Sequence, residues 1–384
     1  IVQVVVFSSV LFICCMICHG ELSRLKPNPT FLTGYYLMIA LGGALGGVLV
    51  TLVAPIIFVD YLELHVGLVG TGVLCFIALY ADKNSWFHGQ KWSWGAVPLI
   101  LAFLVVAGLF VVQARVPHES AIFRTRNFYG VLSVRRLAPG TSQERLELLH
   151  GRVRHGTQFT SPEMRTIATG YYAVDSGAGL VLDHYPRQNE RRIGLVGLGA
   201  GTLVSFARAG DTVRIYEINP EIRRLADSYF TYLRDSEASI EIVLGDARLS
   251  MERDPPQEFD ILLLDAFSGD AIPLHLLTTE AFEIYLRHLK PDGVIALLID
   301  TEHLNFDAVI RRVADHLGLE TARIYSSSGP NEDWGSNWML LARDSDFLSS
   351  PPINGAAARD RASPDGVRLW TDDYTSLIPL IEFD

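Results

Sequence analysis

The sequence predicts an α/β protein in three parts: N-terminal transmembrane helices, a small antiparallel β unit, and a Rossmann-like doubly wound sheet. Long apolar runs fill the first third of the 384 residues, and short apolar strands alternate with helical segments in the rest. A glycine-rich turn and several acidic residues also follow the predicted strands, as in nucleotide-binding sheets. We place the three parts at 1–115, 116–160 and 161–348, with a linker and C-terminal tail at 349–384.

Composition separates the membrane part from the remainder. Basic and acidic residues cancel within 1–114, so the whole formal charge of −11 belongs to the residues that follow. Nucleic-acid binding needs a basic surface, and we therefore expect no nucleic-acid partner. An acidic domain is compatible with a small cationic substrate.

Four apolar runs, at 1–18, 33–59, 65–81 and 95–114, predict about four membrane spans, because a span needs about 20 apolar residues. The first run begins without Met, and we interpret residue 1 as a cut through a longer membrane domain. The spans carry almost no ionisable residue at their centres, which disfavours a transporter. All four cysteines lie in apolar runs, so we interpret them as packing residues and expect no metal site.

The small β unit is predicted from two short strands, 128–134 and 146–153, on either side of the turn signal at 139–142. It precedes a stronger pattern. A buried strand at 193–196 runs into a loop of glycines and then a predicted helix at 202–209. Glycines at such a place allow a tight turn and let the backbone approach a ligand. The glycines of this loop are Gly197, Gly199 and Gly201.

Acidic residues end the next three predicted strands, which are followed by a turn at 289–293 and a strand at 294–299. Glu217 ends the second strand, where an acid can bind ribose hydroxyls. Asp246, followed by Ala247, ends the third and is placed to accept a hydrogen bond from an adenine amino group. Asp265 ends the fourth. Each acid alone could be a helix cap, but their common order predicts a nucleoside-binding site.

This order resembles the class I S-adenosylmethionine-dependent methyltransferase fold, and the surrounding segments resemble the spermidine synthase (polyamine aminopropyltransferase) family. The match covers roughly 120–345, and with the membrane part the chain resembles the bacterial membrane-fused spermidine synthase-like proteins. In particular, 265–270 (Asp-Ala-Phe-Ser-Gly-Asp) resembles that family's catalytic DSSDP loop, with an insertion. The other resembling segments are 127–130, 148–151, 156–158, 171–172 and 335–340.

The resemblance implies transfer of an aminopropyl group from decarboxylated S-adenosylmethionine to a di- or polyamine. The loop aspartates of the family hold the acceptor amine and help remove its proton, which implies Asp270 as the base and Asp265 as a contact to the amine or the co-substrate. The insertion leaves these two roles exchangeable. Tyr172 and Gln158 would shape the amine pocket, with Gln158 also assigned to the co-substrate. An ammonium is not a nucleophile, so a carboxylate must take its proton.

Three departures from the family keep other functions open. Ala200 stands where the family's glycine loop has an acid for the co-substrate's amine, and Gly130 and Ala271 replace its glutamine and proline. Ordinary S-adenosylmethionine is therefore an alternative ligand. The alternatives are a methyltransferase, or another S-adenosylmethionine reaction, on an unknown substrate and a non-catalytic nucleoside or polyamine sensor. Further acids that could line an acceptor pocket are Glu332, Asp333, Asp372 and Asp373.

The location follows from the ligand, because the loop charges do not decide the orientation of the spans. S-adenosyl compounds are made in the cytosol, so we expect a multi-pass protein of the bacterial inner membrane whose catalytic domain faces the cytoplasm. The expected partners are a small cationic amine and membrane lipid, and a homodimer is left open.

Overall fold

The computed structural model describes residues 2–82, 121–186, 190–267, 272–301, 304–327, 329, 334–359 and 366–381, with scattered positions between 100 and 112. The chain divides into two compact units. The first contains residues 1–120 and 124–131, and the second contains residues 121–123 and 132–384.

Apolar helices form the first unit. They are α1 (Val2–Arg24), α2 (Leu32–Val48), the short α3 (Ala54–Ile57) and α4 (Glu63–Ala81). A π-helical turn, Leu49–Val53, joins α2 and α3, and a 3₁₀ turn precedes α2. Within the described part of the chain, three helical segments could cross a membrane by length and composition, at Phe7–Arg24, Pro29–Ile57 and Glu63–Ala81. The predicted fourth span lies largely outside the described residues.

A four-stranded sheet follows, in the order β1-β2-β3-β4. Its strands are β1 (Ala121–Asn127), β2 (Gly130–Leu137), β3 (Arg145–His150) and β4 (Val153–Phe159). Both the β2–β3 and the β3–β4 pairs are antiparallel, which confirms the predicted antiparallel unit. The sequence prediction was wrong in reading 128–134 as one strand. Phe128 and Tyr129 form the turn between β1 and β2.

A seven-stranded sheet forms the centre of the second unit, in the order β10-β11-β9-β8-β5-β6-β7. The five strands β5 to β9 run parallel, whereas β10 and β11 pair antiparallel at one edge. This is the predicted doubly wound sheet, with the antiparallel edge that large parallel sheets often carry. The strands are β5 (Arg192–Val196), β6 (Thr212–Glu217), β7 (Ser239–Leu244), β8 (Phe259–Leu264), β9 (Leu289–Leu298), β10 (Glu320–Ser326) and β11 (Ser336–Ala342).

Helices cover the sheet and complete two apolar clusters of buried side chains. The central strand β8 is buried at every position because both of its faces are covered. The fully buried Trp338 belongs to one cluster and Trp370 to the other. The helices are α5 (Gly177–His184), α6 (Pro220–Tyr229), α7 (Tyr232–Asp235), α8 (Ala247–Arg253), α9 (Thr279–His288), α10 (Asp307–Leu317) and α11 (Pro351–Ala356).

Two local predictions near the site were wrong or incomplete. The predicted helix at 202–209 is a 3₁₀ turn, Thr202–Phe206, that begins after the left-handed Gly201 and stops where Ala207 is extended. The predicted turn before the fifth strand lies inside β9, whose pairing with β8 shifts between Leu289 and Val294. The extra residues bulge out of the ladder, so this turn signal marks an irregular strand.

The C-terminal segment folds onto the second unit. The stretch predicted as a linker contains α11, whose Ile353 is buried. The carbonyl oxygen of Trp370 accepts hydrogen bonds from the Thr279 backbone (3.0 Å) and hydroxyl (2.8 Å) at the start of α9. Asp372 pairs with Arg248 at 2.5 Å. The C-terminal residues around Trp370 and Asp372 are thus part of the packed domain.

Candidate active site

The loop after β5 needs glycine at two positions. Gly197 has a φ of +98°, and a Cβ there would lie 2.2 Å from the carbonyl oxygen of Asp265. Gly199 has a φ of +53°, and its Cβ would lie 2.5 Å from the carbonyl oxygen of His155. Side chains are excluded here by backbone from β4 and from the end of β8. The loop therefore lies between the small sheet and the large one.

Glu217 fixes this loop from the end of β6. One carboxylate oxygen accepts a hydrogen bond from the Leu198 backbone at 3.0 Å, and the other accepts one from the Asn219 backbone at 2.7 Å. Burial raises the pKa of Glu217, while these backbone donors lower it. The carboxylate therefore joins two strand ends, at the position where the sequence predicts ribose binding.

Asp246 follows β7 and caps α8. One oxygen accepts a hydrogen bond from the Leu249 backbone at 2.9 Å, and the other lies 2.9 Å from Nε2 of His275. Ala247 is buried as the first residue of the helix. Both carboxylate oxygens of Asp246 thus have partners within the chain, and contact with adenine stays a prediction.

Asp265 lies at the carboxyl end of β8 and contacts Tyr172. The tyrosine hydroxyl donates to the carboxylate at 2.5 Å. The pKa of Asp265 is raised to about 7. Burial is the main cause, the negative charge of Glu217 adds to it, and the hydrogen bond from Tyr172 acts in the opposite direction. Burial and the nearby carboxylate also raise the pKa of Tyr172, so the phenol keeps its proton. Asp265 can therefore take up and release a proton near neutral pH.

A small cavity of about 30 Å³ adjoins Asp265. Carboxylates and aromatic side chains share its wall with three residues of β4. The lining residues with polar side chains are Arg154, His155, Tyr171, Tyr172, Asp265 and Asp300. The volume suits the polar head of a small ligand.

An irregularity in β4 shapes this cavity. The pairs Glu147–Thr157 and Leu149–Arg154 flank a register shift, so His155 and Gly156 together oppose one residue of β3. This is a β-bulge, which re-aims side chains and is frequent next to active sites. The carbonyl oxygen of His155 accepts a hydrogen bond from the Ala200 backbone at 3.1 Å. The bulge therefore rests directly on the glycine loop.

His155 is neutral in this position. Burial and the nearby His150 lower its pKa to about 4, so the imidazole carries no charge at neutral pH. Its Nε2 atom is closed off from solvent and has no hydrogen-bond partner among the residues that the structure describes. A neutral imidazole can either donate or accept a hydrogen bond, according to its tautomer.

Comparison with known proteins shows which of them this chain is similar to. It is similar to the polyamine aminopropyltransferase of Vibrio vulnificus (strain CMCP6), with 34% identity over 143 residues, or 36% of this chain and 46% of that protein. The crystal structure of a probable spermidine synthase from Corynebacterium glutamicum ATCC 13032 superimposes on this chain with a TM-score of 0.51. The two sequences are 18% identical, and the match covers 66% of this chain and 98% of that one. The chain is therefore similar to a polyamine aminopropyltransferase over about a third of its length, and to a probable spermidine synthase in fold.

The chain is also similar to a methyltransferase. The N-terminal histidine N-methyltransferase of Emericella nidulans is 32% identical over 104 residues, which are 27% of this chain and 19% of that protein. The chain thus spans less than half the length of these two curated relatives, and no protein-family model matches it. The solved structure supports the fold, which is the predicted class I methyltransferase type.

Several residues predicted for the site lie apart from the cavity or outside the described residues. Gln158 is buried, where its amide donates to the Arg165 carbonyl (2.8 Å) and the Thr231 hydroxyl (2.9 Å) and accepts from the Thr231 backbone (2.8 Å). These bonds hold β4 against the segment before α7. Contact of Gln158 with the amine or the co-substrate stays a prediction. Asp270, the predicted base, lies outside the described residues.

Of the additional acids considered from the sequence, two lie outside the described residues and two lie in the C-terminal segment. Glu332 and Asp333 lie outside the described residues. Asp372 is bound to Arg248, and Asp373 is exposed in the C-terminal segment. Among the residues that the structure describes, no cluster of three His, Cys, Asp or Glu side chains could hold a metal ion.

Sequence reasoning missed three polar lining residues: Arg154, His155 and Asp300. Asp300 follows β9 by two residues, so the rule that selected Glu217 and Asp265 could have found it. The two β4 residues gave no such signal, because their orientation depends on the bulge.

Proposed function

We propose that the second unit transfers an aminopropyl group from decarboxylated S-adenosylmethionine to a small amine. The observation that carries this proposal is the Asp265–Tyr172 pair beside the glycine loop, with the pKa of Asp265 raised to about 7. Such a carboxylate can hold an incoming ammonium and accept its proton at neutral pH. The similarity to a polyamine aminopropyltransferase supports the choice of the transferred group.

The chemistry needs three tasks from the chain. The glycine loop and Glu217 hold the nucleoside at the carboxyl ends of the strands. The cavity receives the amine, and Asp265 takes one proton from its ammonium form while Tyr172 keeps the carboxylate oriented. The freed nitrogen lone pair then attacks the propyl carbon bonded to the sulfonium. The carbon–sulfur bond breaks, its electron pair returns to sulfur, and neutral methylthioadenosine leaves.

We further propose that the apolar helices of the first unit anchor the protein in the bacterial inner membrane, with the second unit in the cytoplasm. The three helical segments that could span a membrane support anchoring. The cytosolic origin of S-adenosyl compounds supports the orientation.

A product assay tests the proposed reaction. The purified full chain is incubated with decarboxylated S-adenosylmethionine and 1,4-diaminobutane or spermidine, and methylthioadenosine and the aminopropylated amine are measured by mass spectrometry. Both products should form in equal amounts, and Asp265→Asn should slow them at least a hundredfold. Asp373→Asn, an exposed carboxylate, is the matched control. Formation of neither product, with these amines or with L-ornithine as the acceptor, would contradict the proposal.

Methyl transfer from ordinary S-adenosylmethionine is the second candidate. Ala200 supports it because this position carries no acid for the amine of the decarboxylated co-substrate, and its side chain is buried against Gly156. The similarity to a histidine methyltransferase supports it as well. In the same assay, release of S-adenosylhomocysteine from S-adenosylmethionine would identify this reaction.

A further inference from the structure

Three consecutive residues of β4, Val153, Arg154 and His155, line the cavity where the bulge at His155 and Gly156 begins. In a regular strand, successive side chains point to opposite faces. Gly156 makes the bulge possible, because its φ is +136° and a Cβ there would lie 2.5 Å from the Ala200 Cβ. A small residue on each side thus lets the bulge approach the glycine loop.

Stacking holds the guanidinium of Arg154 beside the cavity. Its central carbon lies 4.0 Å from the centre of the Trp334 ring. Trp334 is itself fixed, because its ring packs edge-to-face with Tyr171 at 4.9 Å and its backbone donates to the Gly170 carbonyl at 3.2 Å. The ion pair of Arg154 with Glu147 is long, at 3.8 Å, which exceeds hydrogen-bond distance. The planar guanidinium can therefore still bind a carboxylate through two parallel N–H bonds.

The cavity wall consequently combines charges of both signs. Arg154 supplies a cation, whereas Asp265 and Asp300 supply carboxyl groups. A plain diamine carries only positive charge and would be repelled by Arg154. A molecule that bears a carboxylate next to its ammonium would match both kinds of group.

We propose that this cavity binds an α-amino-acid group, with the carboxylate on Arg154 and the ammonium at Asp265 and Asp300. The proposal rests on the proposed function, because it uses the same cavity beside the glycine loop. Under aminopropyl transfer, the amino-acid group belongs to the acceptor. If ordinary S-adenosylmethionine is the co-substrate, the group is the methionine end of that molecule.

Two pairs of probes that differ by one carboxylate test this inference and separate its two sources. One pair is L-ornithine and 1,4-diaminobutane, titrated into the full chain saturated with methylthioadenosine. The other pair is S-adenosylmethionine and its decarboxylated form. Calorimetry measures each dissociation constant in detergent solution, so no turnover is needed.

The carboxylated member of one pair should bind at least tenfold more tightly, because a charge-assisted bidentate contact is among the strong hydrogen bonds. Arg154→Gln should remove this preference. Arg154→Lys should keep part of this preference, because lysine retains the positive charge but lacks the two parallel N–H donors of the guanidinium. Arg152→Gln is the matched control, since Arg152 is exposed in the neighbouring turn and should leave the preference unchanged.

A preference for L-ornithine that depends on Arg154 assigns the group to the acceptor. A preference for S-adenosylmethionine that depends on Arg154 assigns it to the co-substrate, and this result would refute aminopropyl transfer while supporting the inference. Equal binding within both pairs, or a preference that survives Arg154→Gln in a protein with unchanged thermal unfolding, would overturn the inference alone. Failure of both adenosyl compounds to bind would overturn the inference together with the proposed function.

Discussion

Replacing Asp265 by Asn should stabilise the second unit at alkaline pH, even though it removes the proposed base. The pKa of Asp265 is raised from 3.8 to about 7 in the folded protein, chiefly by burial. The folded state thus holds the proton more tightly than the unfolded chain, so stability declines as the pH rises from about 4 to about 7 and is then constant. At about 1.36 kcal/mol for each pKa unit, the full effect is about 4 kcal/mol.

The side-chain amide of the Asp265→Asn variant does not ionise, so the stability of the variant does not decline in this way. Between pH 5 and pH 8 the stability gained by the variant should therefore grow, on the order of 1 to 3 kcal/mol after allowance for partial solvent screening. For a unit of this size, the unfolding midpoint should rise by roughly 3 to 10 °C. Thermal unfolding of the full chain in detergent, followed by tryptophan fluorescence, measures this change.

Asp373→Asn serves as the control, because Asp373 is an exposed carboxylate. Its effect on the unfolding midpoint should be the same at both pH values. If Asp265→Asn also gave a pH-independent change, or destabilised the protein more at pH 8 than at pH 5, the assignment of a raised pKa to this carboxyl group would be refuted.

Three further substitutions test the site and the C-terminal segment. Gly199→Ala would place a Cβ 2.5 Å from the His155 carbonyl oxygen, so nucleoside affinity measured by calorimetry should fall at least tenfold; unchanged affinity would contradict the loop geometry. Glu217→Gln leaves one of two buried backbone donors unpaired and should cost about 1–3 kcal/mol in thermal unfolding, with weaker nucleoside binding. Trp370→Ala, at a fully buried position, should cost about 3–5 kcal/mol; a neutral result would show that the tail does not pack.

The strands and their terminal acids could be predicted because strands of a doubly wound sheet are buried on both faces. They form short, continuous apolar runs, and polar residues follow where each run ends. Glu217 and Asp265 were found in this way, and the structure places both beside the glycine loop. Asp300 obeys the same rule after β9, and the sequence contained the signal for it.

The bulge in β4 could not be predicted. It depends on the register between β3 and β4, where His155 and Gly156 together oppose one residue. An alternating pattern would place Arg154 and His155 on opposite faces. The presence of the Arg154 charge at the cavity therefore depends on how the strands pair, which the local sequence does not show.

Tertiary contacts also determine the structure of two further segments. The run after Gly201 contains apolar residues suited to a helix, but the left-handed glycine and the extended Ala207 limit it to a short 3₁₀ turn. Trp370 follows a Ser-, Pro- and Gly-rich stretch that is typical of a linker. Its burial depends on a partner surface more than 80 residues away, at Thr279, which local sequence cannot reveal.

The most direct test of the account is the pH dependence of kcat/KM for methylthioadenosine formation, measured from about pH 5 to about pH 9 in the parent protein and in Asp265→Asn. If Asp265 takes the proton of the acceptor, the parent rate should rise with pH through a midpoint near the pKa of about 7 and then level off. The variant should lose both this rise and most of its activity. A parent rate that is flat across this range, with a variant of similar activity, would contradict the central claim.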